Sequence, residues 1–212
     1  MLRQEGNQHW WPGKTPFEVI VGAILTQNTS WLNVEKAISN LKKANVLSPE
    51  KLYRSSRRKL KEWVRPSGFF NIKAERLRNF LRYFKKRYNF SIGRMKKKNT
   101  EALRNELLSV NGIGKETADS ILLYALKKTV FVIDAYTRRI FSRHGLIKHD
   151  IPYDDLKKIF ENNLSPSEKL FNDYHAQIVR VGKNYCRKKP DCNKCPLQFL
   201  FEIPGLPSKI YP

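Results

Sequence analysis

Apolar residues recur along this chain at three- and four-residue intervals, and that spacing predicts helices almost from end to end. Pro16-Phe17-Glu18 opens one, continued by Val19, Ile20, Ala23 and Ile24, with the proline near the first turn where its missing N–H costs nothing. A second runs from Trp31 to Leu41 through Leu32, Val34, Ala37 and Ile38. Ser48-Pro49-Glu50 reads as an N-cap followed by proline at the first helical position. Leu77, Phe80, Leu81 and Phe84 share one face of a third long stretch, with Arg76, Arg78, Arg82, Lys85 and Lys86 elsewhere on it. Further helices are predicted over 101–108, 115–126, 135–144, 154–161 and 167–185. No stretch alternates with period two. Thr129-Val130-Phe131-Val132-Ile133 is the one β-rich run, and since a lone strand makes no sheet it reads as a buried connector. Arg94-Met95-Lys96-Lys97-Lys98-Asn99 reads as a solvated basic loop, and the tail from Pro204 as irregular. The predicted fold class is all-α.

Composition narrows the possible partners. The 212 residues carry 41 Lys+Arg against 19 Asp+Glu, a net charge of +22, while 41% hydrophobic content is too high for a disordered basic tail. No window of 18 uncharged apolar residues occurs, and Met1-Leu2-Arg3-Gln4-Glu5 lacks the apolar stretch of a signal peptide. The three cysteines, Cys186, Cys192 and Cys195, do not form a secreted disulfide framework. A cytoplasmic globular protein is expected, with a polyanion as partner. Nucleic acid comes before a membrane, because no basic amphipathic helix stands apart from a core.

The most informative segment is Val110-Asn111-Gly112-Ile113-Gly114-Lys115-Glu116-Thr117-Ala118. One apolar helix ends, two glycines flank a single isoleucine, and a second helix starts at once. Glycines let the backbone turn tightly and approach a phosphate, and the new helix points N–H groups at it. A dinucleotide fingerprint would need a preceding strand and a third glycine, and a phosphate P-loop would need its Lys-[Ser/Thr]; neither is present. An ordinary helix-turn-helix corner is the plainer reading, and the charge favours phosphate binding.

This segment resembles the helix-hairpin-helix of the endonuclease III superfamily of DNA glycosylases, and the resemblance extends over nearly the whole chain. Leu25-Thr26-Gln27-Asn28-Thr29 is similar to that family's glutamine-bearing loop, which faces the gap left by a flipped base. Ser67-Gly68-Phe69-Phe70-Asn71-Ile72-Lys73-Ala74 is similar to its intercalation loop, with Phe69 at the wedge position. The resemblance thus implies DNA contacts by Gln27, Phe69, Asn71, Lys73, Gly112, Ile113, Gly114 and Lys115. Val132-Ile133-Asp134 matches the stretch ending in the family's catalytic aspartate. A carboxylate there would stabilise the cationic sugar formed as an N-glycosidic bond breaks. Asp134 also reads as the N-cap of the helix from Ala135, and both roles are compatible.

Where strand-cleaving members carry a Schiff-base lysine, this chain has Glu116. Lys115 precedes it, but one step along a helix turns a side chain by roughly 100°. The resemblance therefore implies hydrolysis of the base without a lyase step. Trp10-Trp11-Pro12, Trp31, Glu116 and Lys183 resemble the base pocket of the 3-methyladenine DNA glycosylase branch, where indole faces would hold a cationic purine. The implied protein is a monomer with two helical lobes, 15–130 and 1–14 plus 131–212, and a cleft between them. Its partner is duplex DNA carrying a damaged base. Glycosylases for deaminated or mismatched bases and a non-catalytic hairpin DNA-binding protein are the alternatives.

Cys186-x5-Cys192-x2-Cys195 is close to the family's iron–sulfur spacing, but the first interval is one residue short and Phe201 stands at the fourth position. A [4Fe–4S] cluster uses four thiolates, so a three-cysteine cluster, zinc with another ligand, and a loop of free thiols all stay open.

Overall fold

The computed structural model describes residue 11 and residues 13–199, which form helices and short turns with no β-strand among them. The all-α class is what the periodicity predicts. The chain divides into two compact units, and the first runs from Trp11 to Lys128. It begins before the expected position 15 because Trp11 packs against Trp31 and Tyr124, with ring centroids 5.2 and 4.9 Å apart.

In the first unit, α1 (Pro16–Leu25) is capped by the Thr15 hydroxyl, which accepts from the Glu18 N–H at 3.1 Å. Every residue from Phe17 to Leu25 is buried, as expected of a helix apolar on all sides. The one acid in it, Glu18, is answered by Lys42 at 2.6 Å. Lys42 lies on α2 (Trp31–Lys43), whose Val34, Ala37, Ile38 and Leu41 face inward. Short helices α3 (Pro49–Arg54) and α4 (Arg57–Val64) are capped by Ser48 and Ser56. The long α5 (Phe70–Tyr88) ends at Asn89, whose φ of 45° is a left-handed cap.

The expected basic loop at 94–99 is instead a helix, α6 (Ile92–Lys97). Ser91 caps it through the Arg94 N–H, and Met95 is fully buried, so one apolar anchor and one cap outweigh the charge of the run. The hairpin helices are α7 (Thr100–Leu108) and α8 (Lys115–Ser120). Beyond Ser120 the predicted single helix widens into a π turn, Ile121–Ala125, closed by Leu126 N–H to the Ile121 carbonyl at 3.1 Å. Glu106 of α7 gathers the Tyr83 and Tyr88 hydroxyls, Arg87 and Lys98 at 2.6–3.1 Å, fastening α7 to α5.

The second unit starts at the β-rich run, where Val130, Phe131, Val132 and Ile133 are all buried without forming a strand. Its helices are α9 (Ala135–Arg143), α10 (Tyr153–Asn163) and α11 (Glu168–Asn184). Phe131 stacks on Phe160 at 4.1 Å, and Phe171 meets Phe131 edge-on at 5.5 Å. Such an aromatic centre holds a small unit together, and truncating Phe160 to alanine costs about 3–5 kcal/mol. Among the described residues no helix is long and apolar enough to cross a membrane.

Candidate functional site

The hairpin turn is locked from behind. Gly112 has φ +94°, and a Cβ there would drive into the Arg76 stem, so only glycine fits. The Gly112 carbonyl accepts from Gln27 Nε2 at 3.2 Å, and Arg76 donates to Gln27 Oε1. Gln27, Gly112 and Arg76 thus form one polar cluster joining α5, the turn after α1 and the hairpin. Ile113 is buried and plugs the turn, while at Gly114 a Cβ would meet nothing within 4 Å. Lys115 and Glu116 are exposed in the first turn of α8. Arg104 grips the fully buried Asp119 with two hydrogen bonds of 2.7 and 3.1 Å, bracing α7 against α8.

The loop from Arg65 presents an exposed aromatic in an unusual backbone. Phe69 has φ +44° and is 67% exposed, directly after Gly68 at φ +68°. Asn71 is exposed beside it. Lys73, grouped with these as a DNA contact, is not available for one. It is 1% exposed and its ammonium donates to the Ser67 carbonyl at 2.5 Å. Residue 73 lies on the inward stripe of α5 with Leu77, Phe80 and Phe84, which carries its side chain under the loop.

Trp11 and Trp31 meet edge to face, and both lie against Gly22, where an added Cβ would sit 3.3 Å from Trp11 Nε1 and from Trp31 Cη2. The Trp31 indole N–H donates to Glu35 Oε1 at 2.7 Å. Trp10 and Pro12, expected to share this pocket, lie outside the described residues. Glu35 was not foreseen; its place one turn after Trp31 was the available signal.

In the second unit, Asp134 caps α9. Its Oδ1 accepts from the Thr137 backbone N–H at 2.7 Å and from the Thr137 hydroxyl at 2.8 Å. Its Oδ2 lies 3.6 Å from His175 Nε2, and the side chain is 12% exposed. Burial pushes this carboxyl up, but the His175 charge and hydrogen bond and the two Thr137 bonds together hold it below the ordinary 3.8. The result is a fixed, ionised carboxylate, of the kind that stabilises a developing cation. His175 is the partner that sequence reasoning missed. Lys183 is exposed on α11 of the same unit.

Cys186, Cys192 and Cys195 line one pocket with Ile140, Arg143, His144, Val181, Tyr185 and Pro190. Among the described residues no three His, Cys, Asp or Glu side chains are arranged to hold a metal ion. The loop is held by two arginines of α9 instead. Arg139 bonds the Gly182 and Cys186 carbonyls at 2.9 and 2.8 Å, and Arg143 bonds those of Arg187 and Lys188 at 2.6 and 3.2 Å. Position 201 lies outside the described residues.

Comparison with known proteins identifies the family. Residues 21–166 match the model of the HhH-GPD superfamily base excision DNA repair proteins. A Methanocaldococcus jannaschii protein bearing the provisional name DNA repair glycosylase is 51% identical over 199 residues, covering 93% of this chain and 90% of its own length. The structure of Helicobacter pylori 3-methyladenine DNA glycosylase bound to 1,N6-ethenoadenine is similar with a TM-score of 0.71 and 35% identity, covering 82% of this chain and 87% of that one. A non-covalent endonuclease III–DNA complex shares the fold, with a TM-score of 0.77, 19% identity, and 92% and 86% coverage. The chain belongs to the HhH-GPD superfamily of base-excision DNA repair proteins, the endonuclease III superfamily, and is a DNA glycosylase of that kind.

Proposed function

We propose that this glycosylase removes alkylated purines, 3-methyladenine foremost, from duplex DNA by hydrolysis, without cutting the strand. The observation that carries the reading is the Trp11–Trp31 pair with the Trp31 N–H given to the Glu35 carboxylate. An N-methylated purine is cationic. An indole hydrogen-bonded to a carboxylate has a more electron-rich face, and so stacks on such a base more strongly than on a neutral one. The likeness to the Helicobacter pylori 3-methyladenine enzyme supports the same class.

In this reading Trp11, Trp31 and Glu116 hold the base, and Trp10, Pro12 and Lys183 are assigned with them by the resemblance to the 3-methyladenine branch alone. The bond from the base nitrogen to C1′ breaks, and the base leaves with the electron pair, which cancels its positive charge. Asp134 stabilises the sugar cation and takes the proton of the water that adds to C1′. Glu116 stands where an amine nucleophile would be needed for strand cleavage, so the reaction ends at the abasic site. Gly112, Gly114 and Lys115 bind phosphate through backbone N–H groups and charge, whereas Ile113 gives its N–H to the Val110 carbonyl at 2.9 Å and only supports the turn. Phe69 and Asn71 enter the gap left by the base, and Gln27 does so on giving up its bonds to Gly112 and Arg76.

The test is release of free base from randomly N-methylated duplex DNA by wild type and Asp134→Asn, with strand breaks scored before and after alkali. Release of 3-methyladenine by wild type alone, with breaks only after alkali, is expected. No release of any methylated purine, with release of uracil, hypoxanthine or mismatched thymine from parallel duplexes that carry them, overturns the substrate assignment, and breaks before alkali overturn the hydrolytic one.

A further inference from the structure

Lys73 is a buried cation beneath an exposed aromatic, and the two are linked through the backbone. Its ammonium donates to the Ser67 carbonyl at 2.5 Å, and its main-chain N–H donates to the Phe69 carbonyl at 3.0 Å. One residue therefore holds the chain on both sides of Gly68. Ser67 is itself fully buried and tied by its hydroxyl to the Val64 carbonyl at 2.7 Å. Between these fixed points Gly68 and Phe69 take left-handed backbone conformations, and the Phe69 ring is turned out to 67% exposure.

Each part of this arrangement is unfavourable alone. A bulky residue at positive φ is strained, and an exposed phenyl ring gains nothing from burial. A buried ammonium loses its hydration, and here the neighbouring cation is Arg76 of the same helix. Burial first, and Arg76 second, bring Lys73 down to about 8. An aliphatic residue would fill the space beneath the loop as well, but it would leave the Ser67 carbonyl without its donor. Strain held in place by a buried charge is characteristic of a part shaped for use rather than for stability.

We propose that Lys73 is a positioning residue that presents Phe69, ready-formed, as the wedge entering the duplex when a base is turned out. The proposal rests on the base-extruding glycosylase reading of the site. Lys73 touches neither base nor sugar; its effect passes through the Ser67–Gly68–Phe69 backbone.

The test uses the full-length protein and a duplex bearing a tetrahydrofuran abasic analogue next to 2-aminopurine, whose fluorescence rises when it is unstacked. Wild type is expected to raise the fluorescence, and Phe69→Ala and Lys73→Met to lose most of that rise while still binding the DNA. The double variant Phe69→Ala/Lys73→Met is expected to match Phe69→Ala alone, because the second change removes a support for a ring already gone. Single-turnover excision by Lys73→Met is expected to fall roughly tenfold or more on a normally paired lesion, and less than about threefold when the lesion faces an abasic gap and is already unstacked.

A wild-type fluorescence rise in Lys73→Met, additive losses in the double variant, or equal slowing on both substrates overturns the positioning role. Lys73→Gln is measured alongside, and failure of both Lys73 variants to fold overturns it too, since Lys73 would then be a stability element. The fluorescence readout needs no excision. A wild type that unstacks the duplex but releases no methylated purine therefore overturns the substrate reading and leaves the wedge support intact.

Discussion

Asp134 and Thr137 are joined twice through a single carboxylate oxygen, by the Thr137 backbone N–H at 2.7 Å and its hydroxyl at 2.8 Å. The other oxygen is left facing His175 at 3.6 Å. Helix capping and charge presentation are thereby divided between the two oxygens of one residue. The helix N-terminus adds its own partial positive charge, which favours the ionised form.

Asp134→Asn keeps the cap, because asparagine is as good an N-cap as aspartate, so the variant stays folded and binds DNA. Its excision rate falls by at least ~100-fold, the scale for losing a preorganised charge at the reacting centre. Thr137→Val leaves the carboxylate but removes one of its two bonds, with a smaller loss of roughly tenfold. Single-turnover rates with a DNA-binding titration check both, and a binding loss equal to the rate loss would refute the assignment.

The acid side of the pH–rate profile follows from the same geometry. Asp134 is held below 3.8 in the folded protein, so it is ionised throughout the range in which the enzyme works. Because the folded value lies below the unfolded one, its contribution to stability is present above 3.8 and is lost as the pH falls through the lower folded value. Excision measured at pH 5 and pH 6 shows no acid-side fall of the kind a carboxylate titrating in that range would give, and such a fall would refute the assignment.

Glu106 makes a separate prediction about stability. Burial raises its pKa, but bonds from Tyr88, Lys98, Arg87 and Tyr83 bring it down from 4.5 to about 2. Glu106→Gln therefore loses about 2 kcal/mol at neutral pH, a figure kept low because the site is partly open to water. The depressed value places the effect above pH 4.5 and erases it as pH falls from 4.5 toward about 2. Urea unfolding of both proteins across that range checks the sign.

Gly112 and Gly114 respond differently to the same added methyl group. Gly112→Ala forces a side chain into the Arg76 stem at positive φ and unfastens Gln27, costing about 2–4 kcal/mol of stability. Gly114→Ala meets empty space and leaves the unfolding free energy within about 0.5 kcal/mol of wild type. It weakens DNA binding all the same, because the methyl stands where a phosphate is to come close. Thermal unfolding together with salt-dependent DNA binding separates the two.

Lys73 gives a sign test at the alkaline end. Its folded value of about 8 lies below the ordinary 10.5, so the unfolded chain holds more protons between those limits. Wild type therefore gains stability relative to Lys73→Met as pH rises from about 8 toward 10.5, and gains nothing below 8. Urea midpoints at three alkaline pH values check it.

The parts legible from sequence are those fixed by local rules. Pro16 and the apolar run behind it mark α1, and the Gly112–Gly114 turn marks the hairpin. Asp134 before Ala135 was readable as a cap. Arg57–Val64 escaped because Leu60 and Val64 are its only buried residues amid charges, and Ile92–Lys97 because Met95 is a single anchor. Lys73 is counted as a DNA contact only because residues 67–74 resemble an intercalation loop. Its place on the stripe through Leu77 and Phe84 carried the opposite message. The pairing of Asp134 with His175 and of Gln27 with Arg76 joins residues far apart in the chain, which no local pattern encodes.

Gly22 leaves the two indoles with a spacing fixed by an atom that is not there. The neighbouring α1 residues are buried to a side, so the helix cannot retreat to make room for one. A single methyl at this position acts as a gauge block. It would press on the Trp11 indole nitrogen and on the Trp31 ring, and through that ring on the Trp31–Glu35 bond, while adding no charge of its own, so aperture is adjusted from the helix behind. The range of bases admitted can then be altered by a change behind the aromatic wall, at a buried helix position.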